Sequence, residues 1–296
     1  MSFVPDSIFF QEEMRDGFFV SEKMKKVWYT EINLLQELDR VCRKYGLRYF
    51  ADYGALLGAV RHKGFIPWDD DIDVTMLRGD YEKLKEVASD EFKEPYFYQD
   101  SYTDSMIWAF SKLRDSRTTA LEFPDFDSDF NQGIFIDIFP LDDVIDEHEV
   151  NKRLYIMKRE MWKAIVDEKG LLEEIESGKR FLLPNDILTE LLSMPIRERM
   201  KQFEAFCNMH TGVSENVDFI TGAFTGQAPK KSVWYRDVVY LPFEYIQIPA
   251  PIDYDLVLKG KYGNYHEIIR GNTMHDGIVL EPDIPYKVYM ENYIRK

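Results

Sequence analysis

The sequence predicts an α+β protein: a mixed β-sheet core flanked by helices, with a mainly helical C-terminal portion. Three observations predict it. Residues 47–52 read as a strand, Gly54 as a turn and residues 55–60 as a short helix, with a second strand, 72–76, close behind. Residues 134–139 alternate apolar side chains about one charge, Asp137. Apolar stripes at helical spacing run through 22–45 and again through 146–168. Two regions are expected, a core over 1–145 that carries an N-terminal helical arm and a mainly helical portion over 146–296.

The elements follow in order. Residues 1–20 are aromatic and acidic, with Phe9, Phe10, Phe18 and Phe19, and are expected to pack on the body as an arm. The helix over 22–45 carries Leu34, Leu38, Val41 and Tyr45 on one face. Gly46 stops it, because glycine takes the left-handed turn that closes a helix without a Cβ penalty. Asp80 caps a helix over 81–90, with Leu84, Val87 and Ala88 inward. Residues 96–99 and 107–114 read as strands, and in the second Trp108, Phe110, Lys112 and Arg114 share a face. An acidic loop over 122–132 holds Glu122, Pro124, Asp125, Asp127 and Asp129. Pro140 is expected to end the strand at 134–139, leaving Asp142 and Asp143 as caps in a loop. Helices follow at 146–168, 185–193 and 196–210, where Met200, Phe203 and Phe206 read as core. Residues 218–250 read as short strands and turns, and 253–260 as a helix. The tail holds His266, His275, Asp276 and Glu281.

Composition narrows the function. Net charge is −16 and the pI about 4.8, so the basic face of a general nucleic-acid binder is missing and anionic lipid repels the chain. A local basic patch still suffices for one nucleotide. Cys42 and Cys207 lie in apolar, helix-like surroundings and read as buried thiols, not a disulfide frame or a zinc site. No secretory signal opens the sequence and no run reaches 18 apolar residues, so no transmembrane segment is expected. The expected location is cytoplasmic, including the inner face of the membrane.

The chemistry concentrates in residues 49–76. Asp69, Asp70, Asp71 and Asp73 repel one another by about 1 kcal/mol per pair at 4 Å even in bulk water. On a strand Asp71 and Asp73 share one face, while Ile72, Val74 and Met76 point the other way into a core. Two carboxylates so placed grip Mg²⁺, which prefers oxygen ligands and substrate phosphates. Asp137 is a charge in an apolar run, which is costly unless paired or on a metal. It reads as a third metal carboxylate or a general base. The strand–Gly54–helix turn offers backbone N–H groups to a phosphate. Arg61, His62 and Lys63 follow it, and Lys112 and Arg114 lie on a strand close by, all candidates for binding a donor's phosphates. Trp108 and Phe110, beside Lys112 and Arg114, suit a base and its phosphates. The pattern points to phosphoryl or nucleotidyl transfer with Mg²⁺ or Mn²⁺, with Asp71, Asp73 and Asp137 as metal-binding and catalytic residues.

Residues 56–73, LLGAVRHKGFIPWDDDID, resemble the signature of the LicD family of phosphocholine transferases, which are related to fukutin and the fukutin-related protein. Lys112 to Asp115, residues 133–142 and Tyr262-Gly263-Asn264-Tyr265 resemble later blocks of that family. The resemblance is strong over about residues 30–145. It implies a nucleotidyltransferase-like core whose aspartate pair and third aspartate bind metals. It also implies transfer of phosphocholine, or a similar phospho-substituent, from CDP-choline or another CDP-linked donor, for whose cationic head group Trp68 and Trp108 are candidate aromatic faces. The implied acceptor is a cell-surface glycan, a teichoic acid or lipopolysaccharide precursor, free or lipid-linked, with the C-terminal portion on the acceptor side. An alternative is transfer of an NMP from an NTP to a small hydroxylated acceptor. The family commonly has two glycines and then a threonine where Tyr53, Gly54 and Ala55 stand.

Overall fold

The computed structural model describes residues 5–122, 129–145, 147–209, 211–219, 229–271 and 277–295, with His148 described by its backbone alone. Pro124, Asp125, Asp127, His275 and Asp276 lie outside the described residues. The chain forms two compact units, residues 1–139 with 236–296 and residues 140–235. The fold is mixed α+β, as the sequence predicts. No helix among the described residues is long and apolar enough to cross a membrane.

The first unit opens with a hairpin of β1 (Glu13–Arg15) and β2 (Phe18–Val20). Aromatic edges hold the arm down: Phe9 meets Tyr245 at 4.9 Å and Phe10 meets Tyr29 at 5.3 Å. The arm is thus a hairpin after a short turn of 3-10 helix rather than helical. Helix α1 (Glu22–Tyr45) starts at Ser21, whose side chain accepts from the Met24 N–H at 3.2 Å. It ends at Gly46, in the left-handed conformation at φ 67°. Its inner face buries Trp28, Ile32, Leu35 and Leu38.

Next come β3 (Phe50–Ala51), α2 (Tyr53–Arg61), β4 (Asp73–Leu77), α3 (Arg78–Glu91), β5 (Tyr96–Gln99), β6 (Ser111–Asp115), β7 (Thr119–Leu121) and β8 (Ile134–Val144). Strands β3 and β4 pair antiparallel, β8 lies beside β4, β6 pairs antiparallel with β8, and β5 with β6. Ile72, Val74 and Met76 are buried, as the alternation predicts, and so is Thr75, so β4 is covered on both faces. Residues 107–110 stay outside β6, although the alternation predicts a strand from 107.

Strand β8 does not stop at Pro140. Its pairs with β6 run to Ile138, and new pairs with β9 (Asn216–Asp218) begin at Asp142. Pro140 stands at this change of partner, where the ladder does not require its missing N–H. Asp142 and Asp143 are therefore strand residues, and Asp143 accepts from the Val213 and Ser214 N–H groups.

In the second unit α4 (His148–Val166), α5 (Glu168–Glu176), α6 (Asn185–Ser193) and α7 (Ile196–Asn208) pack together. Met200 and Phe203 are buried there and Phe206 is half-buried. Arg199 donates to the Ala164 carbonyl and to Glu168, each at 2.7 Å. Strand β10 (Lys230–Lys231) pairs with β9.

The remaining chain belongs to the first unit. Strands β11 (Val238–Phe243) and β12 (Ile246–Pro251) form a hairpin on α2 and β3. Helix α8 (Tyr254–Tyr262) follows, and β13 (Val279–Glu281) pairs with β7 before α9 (Tyr286–Tyr289).

Helix α2 sits tightly because of Gly58. A Cβ there would run into the Gly64 carbonyl, which is backbone and cannot swing aside. Gly58→Ala is expected to cost about 1–3 kcal/mol, the usual penalty for overpacking, seen as a lower denaturant midpoint at unchanged m-value.

Candidate active site

Three carboxylates converge where β4 and β8 run side by side. Asp52 N–H donates to the Asp73 carbonyl at 3.0 Å, and Asp137 N–H donates to the Ile72 carbonyl at 3.0 Å. These bonds fix the register that brings Asp71, Asp73 and Asp137 together. Each offers a carboxylate oxygen within 4.8 Å of the others, and Asp69, Asp70 and Asp71 form a second such group. Trp28 of α1 stacks on Phe65 at 4.6 Å and donates from Nε1 to the Asp69 carbonyl at 3.1 Å, which pins the acidic loop to the core.

Electrostatics in this cluster run against ionisation. Burial, then the Asp71, Asp137 and Asp69 carboxylates, push the Asp73 carboxyl well up, against the pull of Lys261. Glu31 of α1, 1 % exposed, is pushed well up by burial and then by Asp71, Asp70, Asp69 and Asp73. An all-oxygen donor set with this excess of negative charge fits a hard divalent cation.

A cavity of about 450 Å³ opens beside these aspartates. Tyr53, Gly54, Arg61, Trp68, Asp69, Asp71 and Asp73 line it, with Tyr262, Asn264 and Tyr265 from the end of α8 and the turn after it. Gly54 approaches the Asp69 carboxylate closely, and a Cβ on it would push that side chain aside. Tyr53 stands at φ 45°, the left-handed region that costs a side chain about 1–2 kcal/mol. Arg61 is half-buried. Its Nη1 reaches the Tyr265 carbonyl at 3.5 Å, while Nε and Nη2 are buried without a hydrogen-bond partner among the described residues. Burial lowers the Arg61 pKa, against a smaller pull from Asp16.

The other candidates lie elsewhere. His62 Nε2 stands 3.2 Å from Asp16. Burial and then Arg61 lower the His62 pKa, so at neutral pH this contact is not an ion pair. Lys63, at φ 56°, is exposed and gives its carbonyl to the Glu244 N–H. Trp108 packs on Phe110 at 5.3 Å, outside the residues that line the cavity. Lys112 and Arg114 are also absent from that lining. Lys112, 1 % exposed, pairs with Asp137 at 2.9 Å and Glu122 at 3.1 Å, so it holds Asp137 from behind. Arg114, 0 % exposed, donates to Gln99, to the Gly133 carbonyl at 2.8 Å and to Glu122 at 2.7 Å. A guanidinium closed in on this many partners cannot meet a donor, so the expected phosphate role of Arg114 gives way to a structural one.

The Glu122 pair has a readable pH signature. Burial would raise this carboxyl, but Lys112 and Arg114 outweigh it and hold it at about 2, below the usual 4.5. A depressed folded-state value contributes stability that is complete above about pH 4.5 and is lost as pH falls towards 2. Denaturant titrations are expected to show a loss on the order of 3 kcal/mol across that window. Glu122→Gln should flatten it.

Sequence reasoning passed over Glu31 and Lys261. Glu31 carried a signal, because it interrupts the buried run of Trp28, Ile32 and Leu35. Lys261 carried none, since a lysine in the last turn of a helix is ordinary.

The family model described as LicD/FKTN/FKRP, nucleotidyltransferase domain, matches residues 46–182, a span that includes Asp71, Asp73 and Asp137. The lipopolysaccharide cholinephosphotransferase LicD of Haemophilus influenzae is 36% identical over 261 residues, covering 83% of this chain and 94% of that protein. An uncharacterized protein of Rickettsia prowazekii is 28% identical over 132 residues, 45% of this chain and 46% of that one. With these relatives, the fold and its acidic cavity are those of a phosphotransferase enzyme. The chain belongs to the LicD family, as the motif at 56–73 implies.

Proposed function

We propose that this enzyme transfers phosphocholine, or a similar phospho-substituent, from a CDP-linked donor to a cell-surface glycan precursor, with Mg²⁺ or Mn²⁺ held by Asp71, Asp73 and Asp137. The observation that carries the reading is the convergence of these carboxylates beside a cavity that Arg61 also lines. The likeness to a lipopolysaccharide cholinephosphotransferase supports both the group transferred and a lipopolysaccharide-type acceptor.

In this reading an acceptor hydroxyl oxygen forms a bond to the phosphorus that carries choline. The bond from that phosphorus to the oxygen shared with CMP breaks, CMP leaves with the electron pair, and the hydroxyl proton passes to a carboxylate. Arg61 takes a donor phosphate oxygen through charge-assisted hydrogen bonds. Gly54, in the first turn of α2, leaves that helix N-terminus open to the same group. Lys112 keeps Asp137 aimed at the cluster. A divalent cation held by Asp71, Asp73 and Asp137 would supply neutralisation of charge on the diphosphate and on the leaving CMP.

Calorimetric titration of CDP-choline, CDP-ethanolamine and CTP, with and without Mg²⁺, tests the reading. Metal-dependent binding of CDP-choline, with CMP released when lipopolysaccharide is added and both lost in Asp71→Ala, is the expected result. Preference for CTP with release of pyrophosphate would overturn it in favour of nucleotidyl transfer, and silence from every CDP-linked donor would overturn it outright.

A further inference from the structure

Tyr53 is one of the residues that line the cavity, with Gly54 and Asp73, and its backbone is held in the left-handed region. Strain of that kind persists where the surroundings fix it, and it gathers at ligand-binding positions. One face of the ring carries the ammonium group of Lys261, which sits against the ring and is not itself among the residues that line the open cavity. Phe139 packs against the same ring at 5.4 Å and a tilt of 53°. An aromatic face with carboxylates beside it is the chemistry that recognises an ammonium ion, and here the chain supplies one of its own.

We propose that the face of Tyr53 is the subsite for the donor's quaternary ammonium head group, and that the Lys261 ammonium fills it until the donor arrives. This rests on the phosphocholine-transfer reading. Lys261 lies in the last turn of α8, ahead of Gly263, and its long flexible stem lets the ammonium leave by rotation while the helix stays in place. Trp68 lines the same cavity and supplies a second aromatic wall, whereas Trp108 does not. The tethered lysine also sets a threshold. A primary ammonium such as ethanolamine offers the ring the same group that Lys261 already provides. A trimethylammonium group is more weakly hydrated and covers more of the ring, so it displaces the lysine where ethanolamine does not.

The test uses the full chain and a probe that needs no reaction, tetramethylammonium, titrated by proton NMR, beside steady-state kinetics with CDP-choline and CDP-ethanolamine. Tyr53→Leu is expected to weaken tetramethylammonium binding about tenfold and to raise KM for CDP-choline by a similar factor, with a smaller rise for CDP-ethanolamine. Tyr53→Phe should keep both. Tyr53→Gly removes the ring and relieves the φ strain, so its loss of binding is not a loss of fold. Lys261→Met should tighten tetramethylammonium binding about threefold or more. Weaker or unchanged binding in Lys261→Met, or full binding in Tyr53→Gly, would overturn the proposal. If tetramethylammonium responds as stated but CDP-choline is not turned over, the cation subsite stands and the reaction reading fails. If CDP-choline is turned over with an unchanged KM in Tyr53→Gly, the reaction stands and the subsite fails.

Discussion

Asp73→Asn should cut transfer about 10³-fold and, in the same protein freed of metal by chelator, raise the unfolding temperature. The two effects have one origin. Asp73 is held beside Asp71, Asp137 and Asp69, whose charges already push its carboxyl up. Ready carboxylates are what a cation and a diphosphate require, and removal of a group that stabilises charge in the transition state costs about 4 kcal/mol, or 10³ in rate. Without the cation those carboxylates only repel. Relief of about 1 kcal/mol per like-charge pair corresponds to a rise of roughly 2–4 °C for each kcal/mol in a chain of this size. A calorimetric scan in chelator and a transfer assay in Mg²⁺ check both halves. Activity above a tenth of wild type, or a fall in the unfolding temperature, would show that Asp73 is a structural carboxylate.

Arg114→Leu is expected to be the most damaging change away from the cavity, at about 3–5 kcal/mol and roughly 10 °C or more in unfolding temperature. The guanidinium is 0 % exposed and serves Gln99, Gly133 and Glu122 together. Its loss leaves buried acceptors with neither protein nor water to satisfy them. The pair Arg114→Leu with Glu122→Leu should recover part of that cost, because two apolar residues strand fewer charges than one. A single substitution costing under about 1 kcal/mol, or a double worse than the sum of the two, would contradict this account.

Much of the site was legible because short-range rules govern it. Alternation along 72–76 and 134–139 places Asp73 and Asp137 on strands, and the end of α1 at Gly46 follows from glycine's access to φ 67°. Long-range facts were not legible. Alternation put Lys112 and Arg114 on one face but could not say that this face is dry, and the Phe135 ring with Glu122 and Gln99, distant in sequence, makes it so. Pro140 reads as a stop, yet a strand that changes partners has one place where the missing N–H costs little. Tyr53 reads as an ordinary residue before a turn, yet it stands at φ 45°, the left-handed region that suits glycine best. Lys261 meets Tyr53 across two hundred residues of sequence, and no local pattern announces such a contact.

The return of residues 236–296 to the first unit has a consequence for synthesis. Asp71, Asp73 and Asp137 leave the ribosome well before Tyr262, Asn264 and Tyr265, the residues that wall their cavity. At roughly 5–20 residues per second the interval between residue 139 and residue 271 lasts about 7–26 s. During that interval the second unit emerges whole and can settle on its own. The nascent acidic strands meanwhile stand open on one side and bare of their lysine, so a cation in the medium can reach them before any donor can be held.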